Sequence, residues 1–162
     1  ATIASSMTAP RSPSCRPSPV AETQHLTRSP LEPTVALAAV TNRAAGASVL
    51  FLGTVRDRHD GREVAGIDYS AYEPMAERAL ARIAAELEAA TPGLRVEIVH
   101  RLGALTVGEA SGAIAASSPR RDVAREAVRV ALERVKSEVP IWKRERYVDG
   151  GAVWREEEPL DR

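Results

Sequence analysis

The chain has 162 residues, with 22 Lys+Arg against 22 Asp+Glu, so its formal net charge is zero. That length fits one domain, and a 44% apolar composition supplies one core of ordinary size. Zero net charge argues against a general nucleic-acid or membrane-surface binder, which is basic. The single cysteine, Cys15, excludes a disulfide framework, and three scattered histidines, His25, His59 and His100, argue against a metal site. No apolar run approaches a membrane span. An intracellular, soluble protein is the expectation.

Residues 1–30 are rich in Pro, Ser and Thr and lack aromatics, a composition that cannot offset its own ordering entropy and reads as a disordered tail. No secretory apolar region is visible, and a transit peptide is the alternative for this stretch. Cys15 falls in it and is not read as a nucleophile. The folded domain is expected over 31–155, followed by a charged tail over 156–162.

In chain order, Pro33 with Thr34–Val40 predicts a short helix ended by Ala44-Ala45-Gly46. Ala47–Val55 is continuously apolar and suits a central strand covered on both faces. Arg56–Arg62 reads as a charged loop with an Asp60-Gly61 turn. Val64–Tyr72 alternates and predicts a strand antiparallel to the first. Pro74 opens a helix to Ala90, with Met75, Ala79, Leu80, Ile83 and Leu87 as its apolar stripe.

Arg95–His100, Leu105–Val107 and Ala113–Ser117 read as short strands, the last two separated by Gly108-Glu109. Ser118 as a cap and Pro119 behind it predict the start of a long helix, striped by Val123, Ala127, Val128, Ala131, Leu132 and Val135 and closed before Pro140. Ile141–Tyr147 and Ala152–Trp154 flank Asp149-Gly150-Gly151 as a terminal hairpin. Two main helices on a mostly antiparallel sheet give an α+β fold.

Cations fall at three places. Arg56 and Arg58 follow the apolar strand. Arg120 and Arg121 sit in the first turn of the long helix, where free N–H groups and the helix dipole favour an anion. Two Arg side chains there oppose the dipole, which makes sense with a phosphate bound and otherwise reads as a solvated basic turn. Of the 22 basic residues only two are lysines, Lys136 and Lys143, and both flank the turn at Pro140. Coding bias explains an excess of Arg. A proton-transfer or nucleophilic amine requires Lys, because arginine stays charged. The residues alone leave two classes open, an enzyme and a non-catalytic anion- or nucleotide-binding α+β module. An arginine-rich nucleic-acid binder is disfavoured by the interspersed acidic residues.

Six segments in fixed order carry a resemblance: Phe51-Leu52-Gly53-Thr54-Val55-Arg56, Tyr72-Glu73-Pro74-Met75-Ala76, His100-Arg101-Leu102-Gly103, Val107-Gly108-Glu109, Ser118-Pro119-Arg120-Arg121, and Lys136 through Pro140-Ile141-Trp142-Lys143-Arg144-Glu145. The chain resembles the large, catalytic subunits of molybdopterin synthase from about residue 31 to about 155. The resemblance implies an α/β hammerhead core with an additional antiparallel β subdomain. It implies a cytoplasmic sulfurtransferase that converts cyclic pyranopterin monophosphate to the dithiolene molybdopterin. The sulfur comes from the C-terminal Gly-Gly thiocarboxylate of a small ubiquitin-like sulfur-carrier subunit. The large subunit would be a homodimer at the centre of a heterotetramer, its pockets drawing on both copies.

By position, Lys136 and Lys143 would be catalytic. Thr54, Val55, Arg56, Arg120, Arg121, Lys136, Lys143, Arg144 and Glu145 would line the substrate pocket, with Arg56 and Arg121 on the phosphate. No metal or cofactor is implied. The family commonly has His where Arg120 stands, and Arg cannot shuttle a proton as His does. His100 is read as a structural histidine.

Overall fold

The computed structural model describes residues 24–155; Cys15, most of the expected N-terminal tail and the tail over 156–162 lie outside the described residues. In chain order the elements are β1 Leu26–Thr27, α1 Pro33–Val40, β2 Ala47–Thr54, β3 Arg58–His59, β4 Arg62–Ala71, α2 Glu73–Ala90, β5 Arg95–Arg101, β6 Gly103–Thr106, β7 Ala110–Ser118, α3 Arg121–Glu138, β8 Ile141–Tyr147 and β9 Ala152–Arg155. They form two sheets. The first is four-stranded in the order β1-β5-β7-β2; the second runs β3-β4-β8-β9, with β6 also paired to β4.

Alternation on the first sheet builds its two cores. Ile114 and Ala116 of β7 face α2 and α3 together with Val96, Ile98, Val49 and Phe51. Ala113 and Ala115 face α1, with Leu50 and Leu52 beside them. Because β7 carries mostly Ala, Ser and Gly, helices approach it closely on both faces. Leu80 and Ile83 of α2 are fully buried, each contributing about 2–3 kcal/mol by leaving water. A separate core in the second sheet gathers Val55, Val64, Ile67, Leu105 and Tyr147.

Several expectations are corrected. The fold begins before residue 31: β1 pairs in parallel with β5 through Leu26↔His100 and Thr27↔Arg101. Glu77 accepts the His25 and Leu26 N–H groups at 2.7 and 2.9 Å, so a carboxylate on α2 holds a segment whose composition suggested a tail. β2 has both faces covered, as its apolar run requires, but among the described residues it is an edge strand, paired only with β7. An apolar run reports covered faces and says nothing of which edges pair.

The expected partner of β2, the strand beginning near Val64, lies in the other sheet against β6 and β8. Part of the Arg56–Arg62 loop is strand: β3 pairs with β4 across Asp60-Gly61, whose φ values of 48° and 75° make the tight turn that Gly tolerates. β6 and β7 follow one another yet join different sheets. The N-cap of α3 is Arg120, two residues after the expected Ser118, because β7 runs on through Ser118.

His100 sits at the junction of the sheets. Its Nδ1 lies 2.9 Å from the Arg101 carbonyl and its ring meets the Tyr69 ring edge-on at 5.0 Å. Burial lowers its pKa to about 4, against a smaller opposing effect of the bond to Arg101. A folded-state pKa below the ordinary 6.5 means that the unfolded chain binds the proton first, so stability is full above 6.5 and drains as pH falls towards 4. We expect wild type to lose about 2 kcal/mol more than His100→Gln between pH 7 and pH 4.5, read by denaturant unfolding.

Candidate functional site

The candidate cations divide by whether the fold already neutralises them. Arg120 is occupied: its Nε and Nη2 donate to Asp122 at 3.2 and 2.6 Å. Arg58 pairs with Glu63. Arg144 donates to Asp68 at 2.8 Å, lies 5.7 Å over the Trp154 ring, and shares Asp68 with Arg146. Arg56, Arg121, Lys136 and Lys143 carry no hydrogen bond or ion pair within 4.0 Å among the described residues, whereas Arg62, Arg82, Arg101, Arg129, Arg134 and Arg155 all do. Arg43, Arg78 and Arg125 are also unpaired but stand apart from the six motifs.

Three elements converge near the end of β2. Val55, buried, is clamped by backbone bonds: its N–H donates to the Glu109 carbonyl at 3.0 Å and its carbonyl accepts from Gly108 N–H at 2.8 Å. Gly108 has φ +86°, and the turn it makes is locked by Glu109, whose carboxylate accepts from Thr106 N–H, Thr106 Oγ1 and Arg101 at 2.7–3.0 Å. Those bonds, the Thr106 N–H foremost, lower the Glu109 pKa to about 2. The Val107-Gly108-Glu109 motif thus fixes the strand end from which exposed Arg56 projects, while the Val55 side chain itself is core.

Lys136 stands on the last turn of α3, half-buried. Val139 closes the helix with its N–H on the Val135 carbonyl, and Pro140 starts the chain into β8. Along β8 successive side chains point to opposite faces. Lys143 and Glu145 share one face, and Arg144 lies on the other with Trp142 and Arg146. The run Lys143-Arg144-Glu145, expected to line one pocket, is therefore divided across the sheet.

Glu145 is 3% exposed, its carboxylate turned into the protein. Its Oε2 receives Tyr147 O–H at 2.7 Å, lies 2.7 Å from His59 Nδ1, and is 3.6 Å from Arg155 Nε. Burial raises its pKa, but the Tyr147 and His59 bonds and the charges of His59 and Lys143 prevail and hold it below the ordinary carboxylate value. His59, Tyr147 and Arg155 were not among the candidate residues; only the position of His59 beside a tight turn hinted at it.

Arg120 and Arg121 lie at the other end of the molecule. β2 and β7 are antiparallel, with Ala47 opposite Ser118 and Thr54 opposite Ala110. From Arg121 to Lys136 is fifteen residues of helix, about 22 Å along the axis. One copy of the chain therefore does not bring Arg121 to Arg56 and Lys136. Elsewhere, a cleft lined by Leu87, Leu94, Val123 and Ala127 with Asp122 and Glu126 offers carboxylates rather than cations. No group of three or more His, Cys, Asp or Glu placed to hold a metal ion occurs among the described residues. Nor is any helix among them long and apolar enough to cross a membrane.

Fold and site define an α+β protein that leaves a few cations un-neutralised: Arg56 just beyond an edge strand, Lys136 and Lys143 on either side of the Pro140 turn, and Arg121 at the far end of α3. Comparison with known proteins narrows the class. The family model described as "MoaE protein" matches residues 26–138, and the chain belongs to this family. The molybdopterin synthase catalytic subunit of Aspergillus fumigatus is 46% identical over 136 residues, covering 84% of this chain and 72% of the relative. The crystal structure of molybdopterin synthase from Staphylococcus aureus superposes with a TM-score of 0.78 at 37% identity, over 83% of this chain and 97% of that one. A complex of subunits 1 and 2 of molybdopterin-converting factor from Helicobacter pylori contains a chain of the same fold, with TM-score 0.60 at 22% identity over 72% of this chain and 75% of that one.

Replacing Glu109 by Ala releases the turn that clamps Val55. Amide exchange at Val55 and Gly108 should quicken about tenfold while α2 is unchanged, measured by hydrogen exchange. Equal protection in the variant would show that the clamp does not depend on this carboxylate.

Proposed function

We propose that this chain is the catalytic subunit of a molybdopterin synthase. It passes sulfur from the C-terminal thiocarboxylate of a small ubiquitin-like carrier, through that carrier's Gly-Gly tail, to cyclic pyranopterin monophosphate, and two transfers give the dithiolene. A cytoplasmic setting is part of the same proposal. Family membership supports the reaction. The observation that carries the site is the un-neutralised state of Arg56, Arg121, Lys136 and Lys143 in a chain that pairs most of its arginines with carboxylates. An unpaired guanidinium offers its full fork of donors to a phosphate.

In this reading Arg56 and Arg121 hold the substrate phosphate. Lys136 faces the incoming thiocarboxylate, and Lys143 is its second. Both ammonium groups stabilise the negative charge that develops at oxygen and sulfur, in a place where a proton is also needed and arginine could not release one. Arg120, tied to Asp122, contributes no free cation. Its place in the family position usually held by His leaves proton transfer to the lysines.

The pocket is completed by a second copy of the chain, in the homodimer at the centre of a heterotetramer. The 22 Å axial separation of Arg121 from Lys136, about fifteen residues at 1.5 Å each, supports this. So does the edge of β2, unpaired among the described residues, eight residues without a charge or a proline, of the kind that seeks a partner strand. A two-fold antiparallel contact along that edge sets the Ala47 end of one copy against the Thr54 end of the other, and with it one copy's Arg121 beside the other's Arg56 and Lys136.

Two experiments test this. Lys136→Ala should abolish conversion of the cyclic precursor with a thiocarboxylated carrier, with the folded state retained by circular dichroism. Near-normal turnover would overturn the role of Lys136 and favour an anion-binding module. Arg121→Ala and Lys136→Ala chains, each inactive, should regain about a quarter of wild-type turnover when unfolded together and refolded at equal amounts, because half the dimers then contain one intact site of two. No recovery would overturn the shared site.

A further inference from the structure

We infer that His59 is a positioning residue, whose hydrogen bond to Glu145 sets the spacing between Arg56 and Lys143. The inference rests on the sulfur-transfer reading for its turnover assay, and on geometry alone for the bond itself.

His59 and Glu145 are 86 residues apart in sequence, yet Nδ1 and Oε2 lie 2.7 Å apart. His59 follows Arg56 by three residues, on the strand that leaves the clamped Val55. Glu145 follows Lys143 by two residues, on the same face of β8. One short bond therefore ties the segment that carries the free arginine to the strand that carries the free lysine. Its acceptor is fixed from other directions as well. Tyr147 O–H donates to the same oxygen, Arg155 Nε lies 3.6 Å from it, and Arg155 Nη2 bridges Tyr147 Oη and Asp60 Oδ2 at 3.1 and 2.9 Å. Asp60 returns to the His59 Nε2 at 3.7 Å, which closes a ring of five side chains from β3, its turn, β8 and β9.

The rest of this hairpin explains why the strut is an imidazole. Arg58 and Arg62 turn outward to Glu63 and Asp149, on surface more than two-fifths exposed, whereas His59 turns inward and is 22% exposed. A second guanidinium beside Arg155 would crowd Glu145 and reach past it. The imidazole delivers one N–H from a short, flat side chain with two rotatable bonds. Displacement of a catalytic group by about 1 Å can cost up to ~10²-fold in rate, so the strut bears on catalysis without touching substrate.

The test compares His59→Leu, His59→Asn and His59→Gln, alone and with Lys143→Ala. Asn offers its amide N–H near the position of Nδ1 and Gln does not. We expect His59→Leu and His59→Gln to lower kcat about tenfold or more, and His59→Asn to restore it to within about threefold of wild type. In the Lys143→Ala background, His59→Leu should cost less than about twofold, since the group it positions is gone. Loss of the same size in both backgrounds, or equal behaviour of Asn and Leu, would overturn the inference in favour of a merely structural role.

The bond has its own readout. Wild type should show a downfield, slowly exchanging imidazole N–H resonance by proton NMR that vanishes in His59→Asn. Its absence in wild type overturns the inference whatever the turnover. Wild type that shows this resonance but does not convert the precursor overturns the sulfur-transfer reading and leaves the strut standing.

Discussion

Everything in the first sheet depends on β7. It is the strand between β5 and β2, and its side chains are so small that α1 on one face and α2 with α3 on the other can both lie close against it. Its two ends also set the chemistry. The Glu109 turn before it clamps Val55 and so aims Arg56. The reversal after Ser118 begins α3, with Arg121 at the first helical position and Lys136 at the last turn. The span of one strand and one helix therefore decides how far apart the cations stand, which is the ground for proposing a site shared between two copies.

Neutralisation decides the rest. A guanidinium with a carboxylate on it is spoken for, and a surface pair of that kind adds little stability. Arg120 and Arg144 lie within motifs that look like binding residues, yet each is committed to an aspartate of its own chain. Arg56, Arg121, Lys136 and Lys143 carry no such partner among the described residues, and the proposed site is built on them. Glu145 takes another role again: buried and bonded, it holds β8 and the β3 hairpin in fixed relation.

Much of this was legible in the sequence where local chemistry speaks. Pro33, Pro74 and Pro140 mark two helix starts and one helix end, and the stripe of Leu80, Ile83 and Leu87 gives the buried face of α2. The last helical turn before Pro140 and the strand after it were visible, and with them the proximity of Lys136 and Lys143 to one turn. Long-range pairing was not legible. Nothing in Ala47–Val55 distinguishes an edge strand covered on both faces from a central one, and nothing in Leu105–Val107 says that it joins a different sheet from the strand that follows. The strand at Leu26 depends on Glu77, 51 residues away. The division of Lys143 from Arg144 was available from strand alternation alone. The ordered motif, read as a block, concealed it.

The pairing of arginines with nearby carboxylates has a consequence for how a ligand arrives. Arg134 and Arg82 between Glu86 and Glu138 form a small closed multipole whose field cancels a few ångströms out, and Arg129 between Glu126 and Glu133 is more than neutralised, leaving a local excess of negative charge. With no net charge on the chain, the molecule has little long-range field to steer an anion from solution. At physiological ionic strength attraction extends over roughly 8 Å. For an anion held as proposed, capture is then set by diffusion and by the fit found at the cations, so a change in salt should act on residence far more than on the rate of encounter.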